Sequence, residues 1–337
     1  MSIVTEFYAP PGKAHDVQAI GPSVSVVVCT FMRPESLERF LRSLALQSMP
    51  FNDCVIIDAS PGDSTELAVR EFLQSQNLQG PLRYFRVAGS DTGLTRQRNF
   101  ALRHITSELV GFFDDDVLLE PGCLSEMVRV HVERGSEVVA VGACAGSVDV
   151  SQDRLWKLRR KLHIISDLRP GSYQRSGMSV PWEFLPATNN AVEGDWLGGF
   201  AMMWKTRIIQ ELGFRETFGG YAQGEDLDVS LRARHQGKLL MAGAARVRHL
   251  HDANGRPDHY NLGYMAIYNR YQIHRQGLSD RAWRDIAWFT YAWLMDSILL
   301  ARQFFRPAQI IPTMQQWVGR AKASYDLVMS RWRHEKA

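Results

Sequence analysis

The stretch Leu109-Val110-Gly111-Phe112-Phe113-Asp114-Asp115-Asp116-Val117 decides how this chain is read. A short apolar run ends abruptly in three adjacent carboxylates. Polar Thr106-Ser107-Glu108 before it and Pro121-Gly122 after it bound it too closely for a helix, so the spacing predicts a buried strand. Buried parallel strands of α/β sheets have this composition, and their ligands collect beyond the carboxyl ends of the strands. Three neighbouring Asp repel one another. A hard divalent cation, Mg²⁺ or Mn²⁺, relieves that repulsion because it takes carboxylate oxygen, water and phosphate. A solvated acidic turn is the competing reading of the same residues.

Working outward, Val24–Thr30 is β-branched and apolar, a first strand, and Pro34 suits the first turn of the helix after it, where a missing N–H is no loss. Leu37, Phe40, Leu41, Leu44 and Leu46 recur near helical period. Asp53–Asp58 reads as a second strand, Leu67–Leu73 as a helix, Leu82–Val87 as a third strand and Gly93–Ile105 as a helix carrying Arg96, Arg98 and Asn99. Strand and helix alternate up to the Asp cluster, which predicts a doubly wound, mainly parallel α/β sheet flanked by helices. From Tyr264 onward the pattern is helical, rich in Trp and Arg.

With 337 residues the chain holds one large domain and an appendage, or two domains. A formal charge of +3 is too small to argue for nucleic acid. Cys29, Cys54, Cys123 and Cys144 lack CxxC spacing, so neither a zinc site nor a disulfide framework is expected. Met1–Pro22 has no apolar core of a signal peptide, and no run of about 18 uncharged apolar residues occurs. The expected location is the cytoplasm, at the inner face of the membrane if the C-terminal helices bind lipid.

The first half resembles the nucleotide-sugar domain of a family 2 glycosyltransferase with the GT-A fold. Ser25–Thr30 followed by Arg33-Pro34, then Ile56-Ile57-Asp58-Ala59-Ser60, Gly93, Arg98-Asn99 and Phe113-Asp114-Asp115-Asp116 carry the resemblance. It continues at Gly198-Gly199-Phe200 and at Gly224-Glu225-Asp226-Leu227-Asp228. The second strand of that family often ends in two acids, whereas here Asp58 is followed by Ala59. The resemblance implies an N-terminal tail over 1–22, a glycosyltransferase domain over 23–260 and a C-terminal helical region over 261–337. Within the domain, 23–120 would bind nucleotide sugar and 121–260 would hold the acceptor and catalytic groups.

Sugar transfer from a nucleoside diphosphate requires a neutralised leaving group, a deprotonated acceptor hydroxyl and a sugar held in line between them. The resemblance makes Asp116 a metal ligand for Mn²⁺ or Mg²⁺, and Thr30, Arg33, Asp58, Arg98, Asp114 and Asp115 donor contacts. A planar guanidinium such as that of Arg98 suits phosphate. Asp226 is the expected general base and Glu225 its neighbour, sharing a proton or orienting the acceptor. Acids at a helix N-terminus are also favoured by the helix dipole, and both readings hold together. Gly219–Gly224 reads as a mobile loop. Strand alternation places His249 and His251 on one face; the resemblance implies a metal-binding histidine just after such a strand, which makes His249 the expected ligand and His251 the alternative. Gly198, Gly199 and Trp196 are expected on the acceptor side.

The expected activity is therefore inverting transfer of a sugar to a glycan or lipid-linked acceptor in polysaccharide or glycoconjugate synthesis. The C-terminal helices have two readings: peripheral membrane contact, or packing on the catalytic domain or a second subunit, giving a homo-oligomer. Two other activities compete. A phosphohydrolase of the haloacid dehalogenase type also places Asp-x-Asp after a strand, but wants it on the first strand. A non-catalytic sugar-nucleotide-binding module would not need Asp116, Asp226 and a histidine together.

Overall fold

The computed structural model describes residues 2–10, 21–76, 78–149, 153–218, 220–252, 258–277 and 282–334. The β-branched and apolar runs form strands β1 (Ser2–Ala9), β2 (Val24–Thr30), β3 (Asp53–Asp58), β4 (Leu82–Ala88) and β5 (Leu109–Asp114). Helices α1 (Pro34–Ala45), α2 (Ser64–Ser75) and α3 (Leu94–Leu102) connect β2 to β5. Pro34 opens α1 as its sequence suggests, and Leu37, Phe40, Leu41 and Leu44 are its buried face, whereas Leu46 caps the helix end and is exposed. Strands β2 to β5 pair in parallel, with Thr30 level with Asp58 and Cys29 level with Asp114. The chemistry-bearing residues thus share one sheet edge.

The sheet continues as β6 (Val117–Leu119), β7 (Val138–Cys144), β8 (Ala191–Gly194), β9 (Ala201–Lys205) and β10 (Lys238–His249), with α4 (Cys123–Arg134), α6 (Thr206–Leu212) and α7 (Glu225–Ala233) among them. Strand order is β1-β4-β3-β2-β5-β9-β7-β10-β6, with β8 on β10. Here the sheet departs from a mainly parallel one. Strand β9 runs antiparallel to both β5 and β7, and β6 and β8 run antiparallel to β10, so the whole is mixed. The alternating strand–helix pattern holds only through β5; beyond it β7 and β10 still pair in parallel, but β6, β8 and β9 enter antiparallel. The segment expected to be an N-terminal tail contributes β1, which pairs antiparallel along β4.

The chain forms two compact units, 1–148 with 185–255, and 149–184 with 256–337. A single boundary at 260 therefore does not describe them, because 149–184 belongs with the C-terminal helices. The first unit holds the sheet and a continuous core that includes Val26, Phe40, Ile56, Phe113 and Met203. The second holds α5 (Arg154–Lys161), α8 (His259–Gly277), α9 (Ala282–Leu300) and α10 (Ile310–His334). Its core joins Ile164, Met178, Tyr271, Phe289 and Trp293. Asp153 caps α5 by accepting from the Leu155 and Trp156 N–H groups. All four cysteines are free thiols. No helix among the described residues is long and apolar enough to cross a membrane.

Candidate functional site

The three carboxylates after β5 take different surroundings. Asp115 is buried, accepting from Thr30 Oγ1 at 2.7 Å and from Arg33 Nη1 at 3.0 Å. Burial pushes its carboxyl up to about 6 against the pull of those two donors. Asp114 and Asp116 instead converge with His249, the ligand atoms of all three lying within 4.8 Å of one another.

Strand β10 delivers that histidine. Val247 pairs with Leu119 and His249 with Val117, which seats the imidazole beside Asp116. His249 Nε2 lies 3.2 Å from Asp116 Oδ1, and the Asp252 N–H donates to Oδ2 at 2.9 Å. Burial alone would raise Asp116, but its contact with His249 and the Asp252 N–H bring it below the ordinary carboxylate range. Asp252 is in turn held by Ser36 Oγ at 2.6 Å. His251 differs from the alternation that placed it with His249 on one strand face. The strand ends at His249, and His251 has φ 55°, in the left-handed region. Its ring still lies 4.0 Å from that of His249.

A cavity of about 490 Å³ opens beside Asp114 and Asp115, lined also by Thr30, Arg33, Ala59 and Tyr221. Gly93 closes one side. Its φ of 106° is open to glycine, and a Cβ there would come 3.4 Å from Gly220 N; the adjoining Leu94 N–H bonds Gly220 O at 3.1 Å. Gln97 lines the same cavity and pins two strand ends, donating to Thr30 O at 3.1 Å and Ile57 O at 2.9 Å. Sequence reasoning passed over Gln97 and Asp252, and took Tyr221 only as part of the Gly219–Gly224 loop. The one signal for Gln97 was its place between Arg96 and Arg98 on a helix facing the strand ends. Of the Gly219–Gly224 loop, Gly219 lies outside the described residues.

Two expected donor contacts are used otherwise. Asp58 is fully buried, accepting from the Ser60 N–H at 2.8 Å and from Tyr84 Oη at 2.6 Å. Both oxygens are engaged inside the fold, and Ala59 is the residue that reaches the cavity wall. Arg98 is only 2% exposed. It joins Glu225 Oε1 at 2.6 Å, Asp114 Oδ1 at 3.2 Å and the Gly199 carbonyl at 2.8 Å. Its guanidinium therefore ties the Asp cluster to helix α7 instead of opening to the cavity.

Helix α7 starts at Glu225, after Gly224 in the left-handed conformation. Glu225 is buried, and burial pushes its carboxyl up to about 8, opposed by Arg98. Its Oε2 has no hydrogen-bond partner among the described residues. Asp226 is half-buried; Oδ2 accepts from the Gly199 N–H at 2.9 Å and Oδ1 from the Leu227 N–H at 2.8 Å. Gly198 and Gly199 are buried. A Cβ on Gly199 would fall 2.7 Å from Glu225 Oε1, so this glycine permits a close backbone approach to α7. Trp196 nearby is half-buried.

Residues 25–181 match the family model described as Glycosyl transferase family 2. A GalNAc(5)-diNAcBac-PP-undecaprenol beta-1,3-glucosyltransferase of Campylobacter jejuni is 31% identical over 111 residues, 32% of this chain and 34% of that protein. A validoxylamine A glucosyltransferase of Streptomyces hygroscopicus is 24% identical over 241 residues, 64% of this chain and 52% of that protein. The chain thus spans about a third to a half of the length of these curated relatives. A solved mannosyltransferase from Pyrobaculum calidifontis, in complex with GDP-Man and Mn²⁺, has a similar fold. Its TM-score is 0.55 at 16% identity, over 91% of this chain and 88% of that one.

Proposed function

We propose, on the premise that the match of residues 25–181 to glycosyl transferase family 2 reflects shared chemistry, that this protein transfers a sugar from a nucleoside-diphosphate sugar to an acceptor hydroxyl with inversion. The observation that carries the reading is the convergence of Asp114, Asp116 and His249, with Asp114 also lining a cavity on the sheet's ligand-binding edge. Two carboxylates and an imidazole suit Mn²⁺, and Mg²⁺ less well because of the imidazole. A cation held by these residues would neutralise the diphosphate as charge develops on the leaving oxygen.

The remaining steps belong to the chain. The cavity takes the nucleotide, with Arg33 and Thr30 in its wall and Asp115 locking both in place. Asp226 takes the proton of the acceptor hydroxyl. The Gly199 and Leu227 N–H groups hold its carboxylate in one orientation. Glu225 stays inside the fold and presents Arg98 to Asp114. The basic, aromatic second unit supports a lipid-linked acceptor and contact with an anionic membrane face. The phosphohydrolase alternative is not favoured, since its Asp motif belongs on the first strand and this one follows β5.

Calorimetric titration with UDP and GDP tests the donor half. Binding is expected to be tighter in Mn²⁺ than in EDTA, and Asp116→Ala is expected to abolish that difference. Equal affinity in EDTA and in Mn²⁺ would refute the reading.

A further inference from the structure

The helical unit contains a second cavity, of about 470 Å³, built from α8, α9 and α10. Tyr271, Phe289 and Trp293 form its buried floor, and Leu294, Ile298 and Trp317 stand exposed along its rim. The volume is that of a small-molecule site, yet the walls offer few polar groups to orient a polar ligand. Such a space suits hydrocarbon, which asks for no hydrogen bonds.

One wall residue is charged. Arg320 lines the cavity and shares Asp296 with Arg159, at 3.4 and 2.6 Å. Two guanidinium groups thus meet one carboxylate, leaving one positive charge in excess at the wall. Arg320 Nε is buried and has no hydrogen-bond partner among the described residues. The surroundings repeat this sign. Residues 149–184 and 256–337 carry 19 Lys and Arg against 10 Asp and Glu, a net of +9 in a chain whose total is only +3. The same unit exposes Trp283, Ile311, Val318 and Val328. An apolar groove on a strongly basic, aromatic-rich surface complements an anionic amphiphile. A second copy of the unit would bring the same positive charge against itself.

We propose that the groove of α8, α9 and α10 takes one acyl chain of an anionic membrane lipid, with Arg320 at the level of its head group. This goes beyond membrane contact in general. A chain enters the protein, and Trp293 and Trp317 lie against it. It is also independent of sugar transfer, because it is measured without donor or metal.

The test uses the full-length protein and vesicles whose acyl chains are brominated at mid-chain, since bromine quenches indole emission on close approach. Phosphatidylglycerol vesicles are expected to quench, and phosphatidylcholine vesicles of the same chains to do so only weakly. Trp293→Phe with Trp317→Phe should remove most of the quenching while vesicle co-sedimentation persists. That separates chain insertion from surface contact through Trp283 and Trp288. Arg320→Gln should weaken apparent affinity for the anionic vesicles about fivefold, the effect of one surface cation; Arg159 still holds Asp296. Ser324→Phe, which fills the groove from α10, should abolish quenching in a protein that elutes normally on gel filtration. Quenching that survives the double Trp variant, or equals that by phosphatidylcholine, would overturn the proposal. So would a lipid-free dimer that Ser324→Phe dissociates.

Discussion

Asp226→Asn separates chemistry from architecture at this site. The parent carboxylate accepts two backbone N–H groups, one on each oxygen. Asparagine has a single oxygen, so one of the Gly199 and Leu227 N–H groups must face an amide NH₂. An unsatisfied buried donor costs about 1–3 kcal/mol. In a domain of this size that lowers Tm by about 2–4 °C per kcal/mol, so a loss of about 2–12 °C is expected. The rate should suffer far more. Removing a general base typically costs about 100- to 10,000-fold, or about 3–5.5 kcal/mol of transition-state stabilisation. Nucleotide affinity should be nearly unchanged, because the donor cavity is lined by β2, β5 and α3 residues and by Gly220-Tyr221. The assay is paired: single-turnover sugar transfer at saturating donor, and calorimetric nucleotide binding with Mn²⁺. Near-parental turnover would rule out Asp226 as the base. A product of retained anomeric configuration, read from its NMR coupling, would refute the in-line attack that gives Asp226 its role.

Glu225→Gln should make stability less sensitive to pH. The folded-state value near 8 lies above the ordinary 4.5, so the folded protein holds a proton that the unfolded chain releases, and parental stability falls as pH rises between those values. The fall attributable to Glu225 is at most about 1.4 kcal/mol per pH unit; urea unfolding of parent and variant at pH 6 and pH 8.5 measures it, and parallel pH profiles would refute the assignment. Arg98→Met leaves Asp114, Glu225 and the Gly199 carbonyl without their common donor. Breaking its buried pair with Asp114 costs up to about 3–5 kcal/mol, and thermal melting should show it. His249→Gln should weaken Mn²⁺-dependent nucleotide binding by at least about tenfold, while binding in EDTA stays as in the parent.

A sequence carries local information, and much of this molecule is local. The apolar run into Asp114, the β-branched Val24–Thr30, Pro34 before a helical period and the acids opening α7 each stand where the structure has a strand end or a helix start. Those features follow from side-chain period and backbone stereochemistry within about ten residues, so spacing alone determined them. The strand–helix alternation also put the Asp cluster on the ligand-binding edge of the sheet.

What the three carboxylates do was decided by partners far along the chain. Asp115 turns to Thr30 and Arg33, whereas Asp116 meets a histidine carried there by the pairing of β10 with β6. Arg98 looks like a phosphate ligand in one dimension. In three it is closed in by Glu225, 127 positions later, and by the Gly199 carbonyl. Asp58 is likewise claimed by Tyr84. The sheet is mixed because β1, β6, β8 and β9 all pair antiparallel, β9 between β5 and β7, choices no short window of sequence encodes. Charge type and local period can be read from a linear chain. The burial of a charge and the identity of its counter-charge depend on which distant segments pack against it, so they exist only once the chain has folded.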